Sequence, residues 1–142
     1  MAYSTLADIE EQLSEAELIG LTDDAAADAV DADVVTRAIA DADEEIDGYV
    51  GSRVKVPLSP VPGIIRKYSV DIAVYNLYAR RHASIPEIRE KRYENALKFV
   101  GLVARGTVSL GTDDPEGNPP STSGIAVRSA PAVMTPEKLD CF

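Results

Sequence analysis

The chain has 142 residues, 45% hydrophobic and 27% charged, with a net charge of −10. That is enough for one domain with one core, and an ordinary globular mixture. The acidic balance argues against a nucleic-acid reader, because phosphate binding needs a positive field. No apolar run reaches the roughly 20 residues of a membrane helix.

The N-terminal stretch has no basic n-region and no long apolar run, so it is not read as a secretory signal. The one cysteine, Cys141, has no partner for an internal disulfide, which suits a reducing compartment. Charge is unevenly placed. Residues 1–33 hold ten acids and no Lys or Arg, whereas residues 53–105 hold eleven bases against four acids. Two solvated helix faces would explain this polarity, and so would head-to-tail packing of an acidic front on a basic middle.

In chain order, "STLADIEEQL" predicts a short first helix, with Ser4 or Thr5 as cap and Asp8 completing a capping box. "SEAELIGLT" repeats the device, with Ser14 as cap, Glu17 three residues on and Gly20 as the stop. The acidic loop "TDDAAADAVDAD" follows. A third helix is predicted from about Val34 to Val50, capped by Asp33 and ended by Gly51. Val35, Ala38, Ile39, Ala42, Ile46, Tyr49 and Val50 form its apolar stripe, and Asp41, Glu44, Glu45 and Asp47 its solvated face.

Pro57, Pro60 and Pro62 make "SRVKVPLSPVPG" a stiff extended connector, with Pro62 able to serve the first turn of the next helix. That fourth helix is predicted from about Gly63 to Arg81. One apolar arc holds Ile64, Ile65, Tyr68, Ile72, Tyr75 and Ala79, and a second holds Val70, Ala73, Val74, Leu77 and Tyr78. A helix apolar nearly all round is buried on several sides. Either it is central to this chain, or its second arc meets another subunit.

The fifth helix lies in "SIPEIREKRYENALKFVGLVARG". Ser84 is a possible cap, Pro86 an early-turn residue and Gly106 the stop, and Ile88, Tyr93, Ala96, Leu97, Val100 and Val103 make its apolar face. Residues 112–142 contain five of the nine prolines and little periodicity, and read as an extended or flexible arm. Within it, "IAVRSAPAVM" is apolar enough to dock on a partner, through Ile125, Val127 and Val133.

Signals for chemistry are weak. His82 has no paired Cys or Ser, and Cys141 has nothing nearby to lower its pKa. The sequence has no phosphate-binding glycine loop, zinc spacing or nucleophile elbow. Asp23, Asp24, Asp28, Asp31 and Asp33 could offer oxygens to calcium, but their loop lacks the turn glycine and the closing Glu. Tyr68, Tyr75, Tyr78 and Tyr93 stand at helical spacing, which suits core or interface better than a ligand pocket. Arg80, Arg81, Arg89, Lys91 and Arg92 cluster near a helix–helix turn. They could touch nucleic acid, and at this pI an acidic protein partner is favoured.

Three blocks in order carry a resemblance. They are "YSTLADIEEQLSEAELIGLTD", then "ADADEEIDGYVGSRVKVPLSPVPGIIRKYSVDIAVYNLYARR", then "IREKRYENALKFVGLVARGTVSLG". Together, over residues 3–111, they resemble the Mu-like phage family of small virion proteins that look like head-tail connectors (adaptor or head-completion proteins). The middle block is the most specific. "DDAAADAVDAD" departs from the more glycine-rich loop common in that family.

The resemblance implies an all-α fold, a small bundle of about five helices over residues 1–111 followed by the arm 112–142. It implies a non-enzymatic structural protein of the virion neck, made in the host cytoplasm. Usually about twelve copies of such adaptors form a ring below the portal. Its partners would be the portal protein and neighbouring neck or tail proteins. Genomic DNA would pass through without sequence-specific binding, with no membrane, metal or cofactor. Interface residues expected on this reading are Val70, Val74, Leu77, Tyr78, Arg80, Arg81 and Arg92, with Ile125, Val127 and Val133 in the arm. Alternatives are a stopper or tail terminator, a nucleic-acid-binding regulator using the basic turn, and a metal-dependent enzyme on the aspartate loop.

Overall fold

The computed structural model describes residues 1–81 and 84–111, and these form five helices and no strand. In chain order they are α1 (Leu6–Glu10), α2 (Glu15–Thr22), α3 (Ala32–Val50), α4 (Gly63–Arg80) and α5 (Glu87–Ala104). The long helices α3, α4 and α5 pack on one another, while α1 and α2 lie on α3 and α4. The result is the small all-α bundle that the resemblance implies, built from the five helices predicted in chain order. The C-terminal arm, with Ile125, Val127, Val133 and Cys141, and His82 lie outside the described residues.

The caps show why the short helices hold. Thr5 and Ser14 each accept from the amide three residues on, and Asp8 and Glu17 reach back to the cap amides. Two free N–H groups are thus satisfied at each start. α2 does not stop at Gly20. It continues to Thr22, whose hydroxyl donates to the Leu18 carbonyl, because Leu21 and Thr22 are buried against the bundle. The cap of α3 is Asp31 rather than Asp33, since Asp31 Oδ1 accepts from the amides of both Asp33 (3.0 Å) and Val34 (3.2 Å). The helix therefore begins two residues before Val34. Ser84 does not cap α5, which starts at Glu87 after Pro86.

α5 ends in a Schellman turn. Thr107 N–H donates to the Leu102 carbonyl and Gly106 N–H to that of Val103, with Gly106 at φ +73°. A left-handed residue there is cheap only for glycine.

α4 is the central helix. Residues 69–74 are buried without a break, and Ile65 and Leu77 extend the buried surface to both ends. Apart from the exposed Ile64 and Ala79, both of its apolar arcs are wholly or partly covered within the chain, by α3, α5, α1 and α2. The stripe of α3 is buried at Val35, Ala38, Ile39, Ala42, Ile46 and Val50, but Tyr49 at its end is exposed. Ile64 and Ile88, each at the first turn of its helix, are also exposed.

Between α3 and α4 runs "GSRVKVPLSPVPG". Its peptide bonds Val56–Pro57 and Ser59–Pro60 are cis. Leu58, between them, is buried and donates its amide to the Tyr3 hydroxyl at 2.9 Å.

Candidate functional site

The residues predicted as an interface divide into two groups. Val70, Val74 and Leu77 are buried in the chain's own core, at 3%, 0% and 0% exposure. In this fold they are packed within the chain and present no surface to a neighbour. Tyr78 is half-buried against the same core.

Arg80 and Arg81 stay at the surface but are engaged. They converge on Asp24, with Arg81 Nη2 2.7 Å from Asp24 Oδ1. Arg80 also donates to the Leu21 carbonyl at 3.2 Å, and Arg81 to that of Asp23. The C-terminus of α4 thus clamps the loop after α2, and placing cations at a helix C-terminus also suits its dipole.

Arg89 and Arg92 on α5 serve the turn between α1 and α2. Both donate to Gln12 Oε1 at 2.9 Å, and Arg89 also reaches the Gln12 carbonyl. The arginines of the basic turn thus divide between the two ends of α2, Arg80 and Arg81 at the loop that follows it and Arg89 and Arg92 at Gln12 before it, and tie α4 and α5 to the acidic N-terminal third. The intramolecular part of the sequence's charge split is visible here.

The acidic loop is ordered by its own backbone. Asp23 accepts from the amides of Ala25, Ala27 and Asp28, and these hydrogen bonds hold its carboxyl below the usual carboxylate range. Asp24 takes the two arginines and Asp31 caps α3. Each of these three carboxylates thus has structural partners, and no cluster of three or more ligating side chains suited to a metal occurs among the described residues.

The tyrosines are packing residues. Tyr75 and Tyr93 stack with ring centres 4.0 Å apart and planes 6° apart. Tyr93 donates its hydroxyl to Glu45 at 3.1 Å, and burial with that carboxylate beside it pushes its pKa up to about 12. Tyr68 lies against Phe99 at 4.9 Å.

Two polar features went unread in the sequence. The first is a knot beneath the N-terminus. Asp43 accepts from the Tyr3 amide at 2.8 Å and the Ser69 hydroxyl at 2.6 Å, Ser4 and Ser69 share a hydrogen bond, and the Tyr3 hydroxyl donates to Asp47. Burial raises the Asp43 pKa, opposed by the two donors. The available signal was phase: Asp43 is a polar residue on the apolar stripe of α3, one turn from Ile39 and from Ile46.

The second feature is Asp71, which is buried on α4 with an Oδ1 that has no hydrogen-bond partner. Arg92 Nη1 stands 3.6 Å from it. Burial pushes this carboxyl up, and Arg92 and Lys67 oppose the shift. Asp71 lies on the floor of a cleft of about 490 Å³ between α4 and α5, with Lys67, Arg92 and Lys98 around it. A second cleft, of about 460 Å³, runs between the N-terminal residues and α3 and includes Asp43, Glu44 and Asp47.

Comparison with known proteins now places this bundle. A family model described as Bacteriophage Mu, Gp36 matches residues 3–129. The chain belongs to the bacteriophage Mu Gp36 family. It is also 32% identical over 107 residues to the Mu-like prophage FluMu protein gp36 of Haemophilus influenzae, which covers 75% of this chain and 74% of that protein. The Gp36 match extends past the bundle into the arm, to residue 129, whereas the resemblance read from sequence blocks stops at residue 111. No described helix is long and apolar enough to cross a membrane.

Proposed function

We propose that the protein is a structural, non-catalytic component of a Mu-like phage particle, a head-tail connector whose copies form a ring below the portal around the DNA channel. The observation that carries this is membership of the Gp36 family over residues 3–129. The disposition of polar groups is consistent with it. Among the charged side chains that the sequence offered for chemistry, Arg80, Arg81, Arg89 and Arg92 tie α4 and α5 to the turns around α2, and Asp31 caps α3. The expected partners are the portal protein and adjoining neck or tail proteins, with the protein made in the host cytoplasm and residing in the virion neck.

DNA is a passenger on this reading. A chain of net charge −10 has little counterion release to gain from phosphate, so DNA slides past rather than being gripped. A DNA-binding regulator would need the basic turn, but Arg80, Arg81 and Arg92 already have partners within the chain.

The test is an N-terminally tagged chain expressed in cells producing its particle, with co-purifying proteins identified by mass spectrometry. Met1 is 88% exposed, so the tag clears the fold. Recovery of portal and neck proteins is the expected result. Recovery of DNA or metabolic enzymes alone would sink the reading.

A further inference from the structure

We propose that the cleft between α4 and α5 receives the outer face of α3 from a second copy of this chain. The inference rests on the ring-forming reading above and names the two faces that meet.

The cleft is a basic concavity. Lys67 on α4 and Arg92 and Lys98 on α5 surround the single carboxylate of Asp71, leaving a net charge of +2 from these four groups. Tyr68 and Phe99 form an apolar wall, with the Lys67 ammonium 5.3 Å from the Tyr68 ring. Lys67 has no ion-pair partner among the described residues, and the Lys98 pair with Glu94 is long, at 3.7 Å, and well exposed. Such a surface pair contributes little and is readily exchanged.

The outer face of α3 is its inverse. Asp33, Arg37, Ala40, Asp41, Glu44 and Gly48 fall on one side of the helix and all are exposed. Three acids flank one base, giving a net charge of −2. The acidic ridge of the helix thus faces the basic rim of the cleft, Lys67, Arg92 and Lys98. Ala40 and Gly48 keep the ridge low, so its backbone approaches closely. None of these six residues lines the cleft of its own chain, so the contact is heterologous. Such a contact closes into a ring when the rotation between copies divides a full turn, and otherwise propagates as a filament.

The test uses unmodified side chains. Full-length protein is prepared in ¹⁴N and ¹⁵N forms, mixed, concentrated and treated with a zero-length carbodiimide, which joins carboxylates to amines in contact. Mass spectrometry then separates links between copies from links within one. The Glu94–Lys98 link within a chain is the internal control. Links between copies should join Asp41 or Glu44 to Lys67 or Lys98. Glu44→Lys and Lys98→Glu should each lose them, and an equimolar mixture of the two variants should regain links between copies, because each supplies the face the other lacks. Both positions are exposed, so the variants keep the fold.

The same linking is carried out on purified particles. If the chain is present there but its intermolecular links fall elsewhere, the pairing is wrong and the particle reading stands. If the concentrated protein gives the stated links while particles lack the chain, the pairing stands and the particle reading is wrong. If neither preparation gives them, the pairing is overturned.

Discussion

Arg92 on α5 lies 3.6 Å from the buried Asp71 Oδ1 on α4, yet its hydrogen bond goes to Gln12 at 2.9 Å. The carboxylate oxygen is left with a cation nearby and no donor. A desolvated carboxylate in that position resists ionisation.

The first prediction concerns pH. Burial raises the folded-state pKa of Asp71 above its ordinary value. The folded chain therefore keeps this proton to a higher pH than the unfolded chain does. Stability from the protonated form is present at low pH and is lost as pH rises through the raised pKa. Asp71→Asn has no such loss. Its stability relative to wild type should improve as pH rises above the ordinary aspartate pKa of about 4, as read by urea unfolding at several pH values. A difference that does not change with pH would mean that Asp71 is not shifted in this direction. The depressed groups Asp8 and Glu17 give the opposite slope, stability lost as pH falls, and are common to both proteins.

The second concerns Leu77. It is fully buried in the central helix, so its truncation is a core defect. Leu77→Ala should cost about 2–5 kcal/mol of folding stability. Leu77→Asp should leave the isolated chain unfolded, because a charge is placed where nothing pairs it. Circular dichroism of the purified variants is sufficient to check this. A folded, soluble Leu77→Asp that merely fails to assemble would show that its side chain faces outward.

The third separates two neighbouring aspartates. Asp31→Ala removes the acceptor for two amides at the start of α3 and should cost about 1 kcal/mol. Asp33→Ala removes only a favourable charge in the first turn and should cost about 0.3–1 kcal/mol. Thermal melts of the pair should therefore rank Asp31→Ala as the more damaging. The reverse order would mean that the helix starts later.

The fourth uses two left-handed positions. Gly106 has φ +73° at the end of α5, and an added Cβ would meet the Arg53 guanidinium. Gly106→Ala should cost about 1–2 kcal/mol for the backbone alone. Ala26 has φ 55° in the acidic loop, where an L side chain is strained. Ala26→Gly should raise stability by up to about 1 kcal/mol. Equal melting temperatures for both variants and wild type would contradict the assigned backbone.

Much of this fold was legible from local pattern. Ser14 with Glu17, Thr5 with Asp8, and Gly51 and Gly106 after apolar runs each declare a helix end through neighbours within about four residues. The two arcs of α4 declared a buried helix, but periodicity alone did not distinguish burial in the bundle from burial in an oligomer. Packing decides that, and for Val70, Val74 and Leu77 it places them inside. Asp43 and Asp71 were not legible because their partners lie far along the chain: Tyr3 is 40 residues from Asp43, and Arg92 is on another helix. A polar residue on an apolar stripe was the one local clue. The basic turn was recognised as a cluster, while its pairing with Gln12 and Asp24 depends on how α1 and α2 fold back.

The knot beneath the N-terminus imposes an order on synthesis. Residues 3 and 4 leave the ribosome well before Asp43, Asp47, Leu58 and Ser69, the residues that secure them. At about 5–20 residues per second, translation spends several seconds before α4 emerges. Until α3 emerges Tyr3 has nothing to hold, and until α4 emerges Ser4 lacks Ser69. Residues 3 and 4 are thus among the last to lock, and the knot around them is complete only once Ser69 of the central helix has arrived.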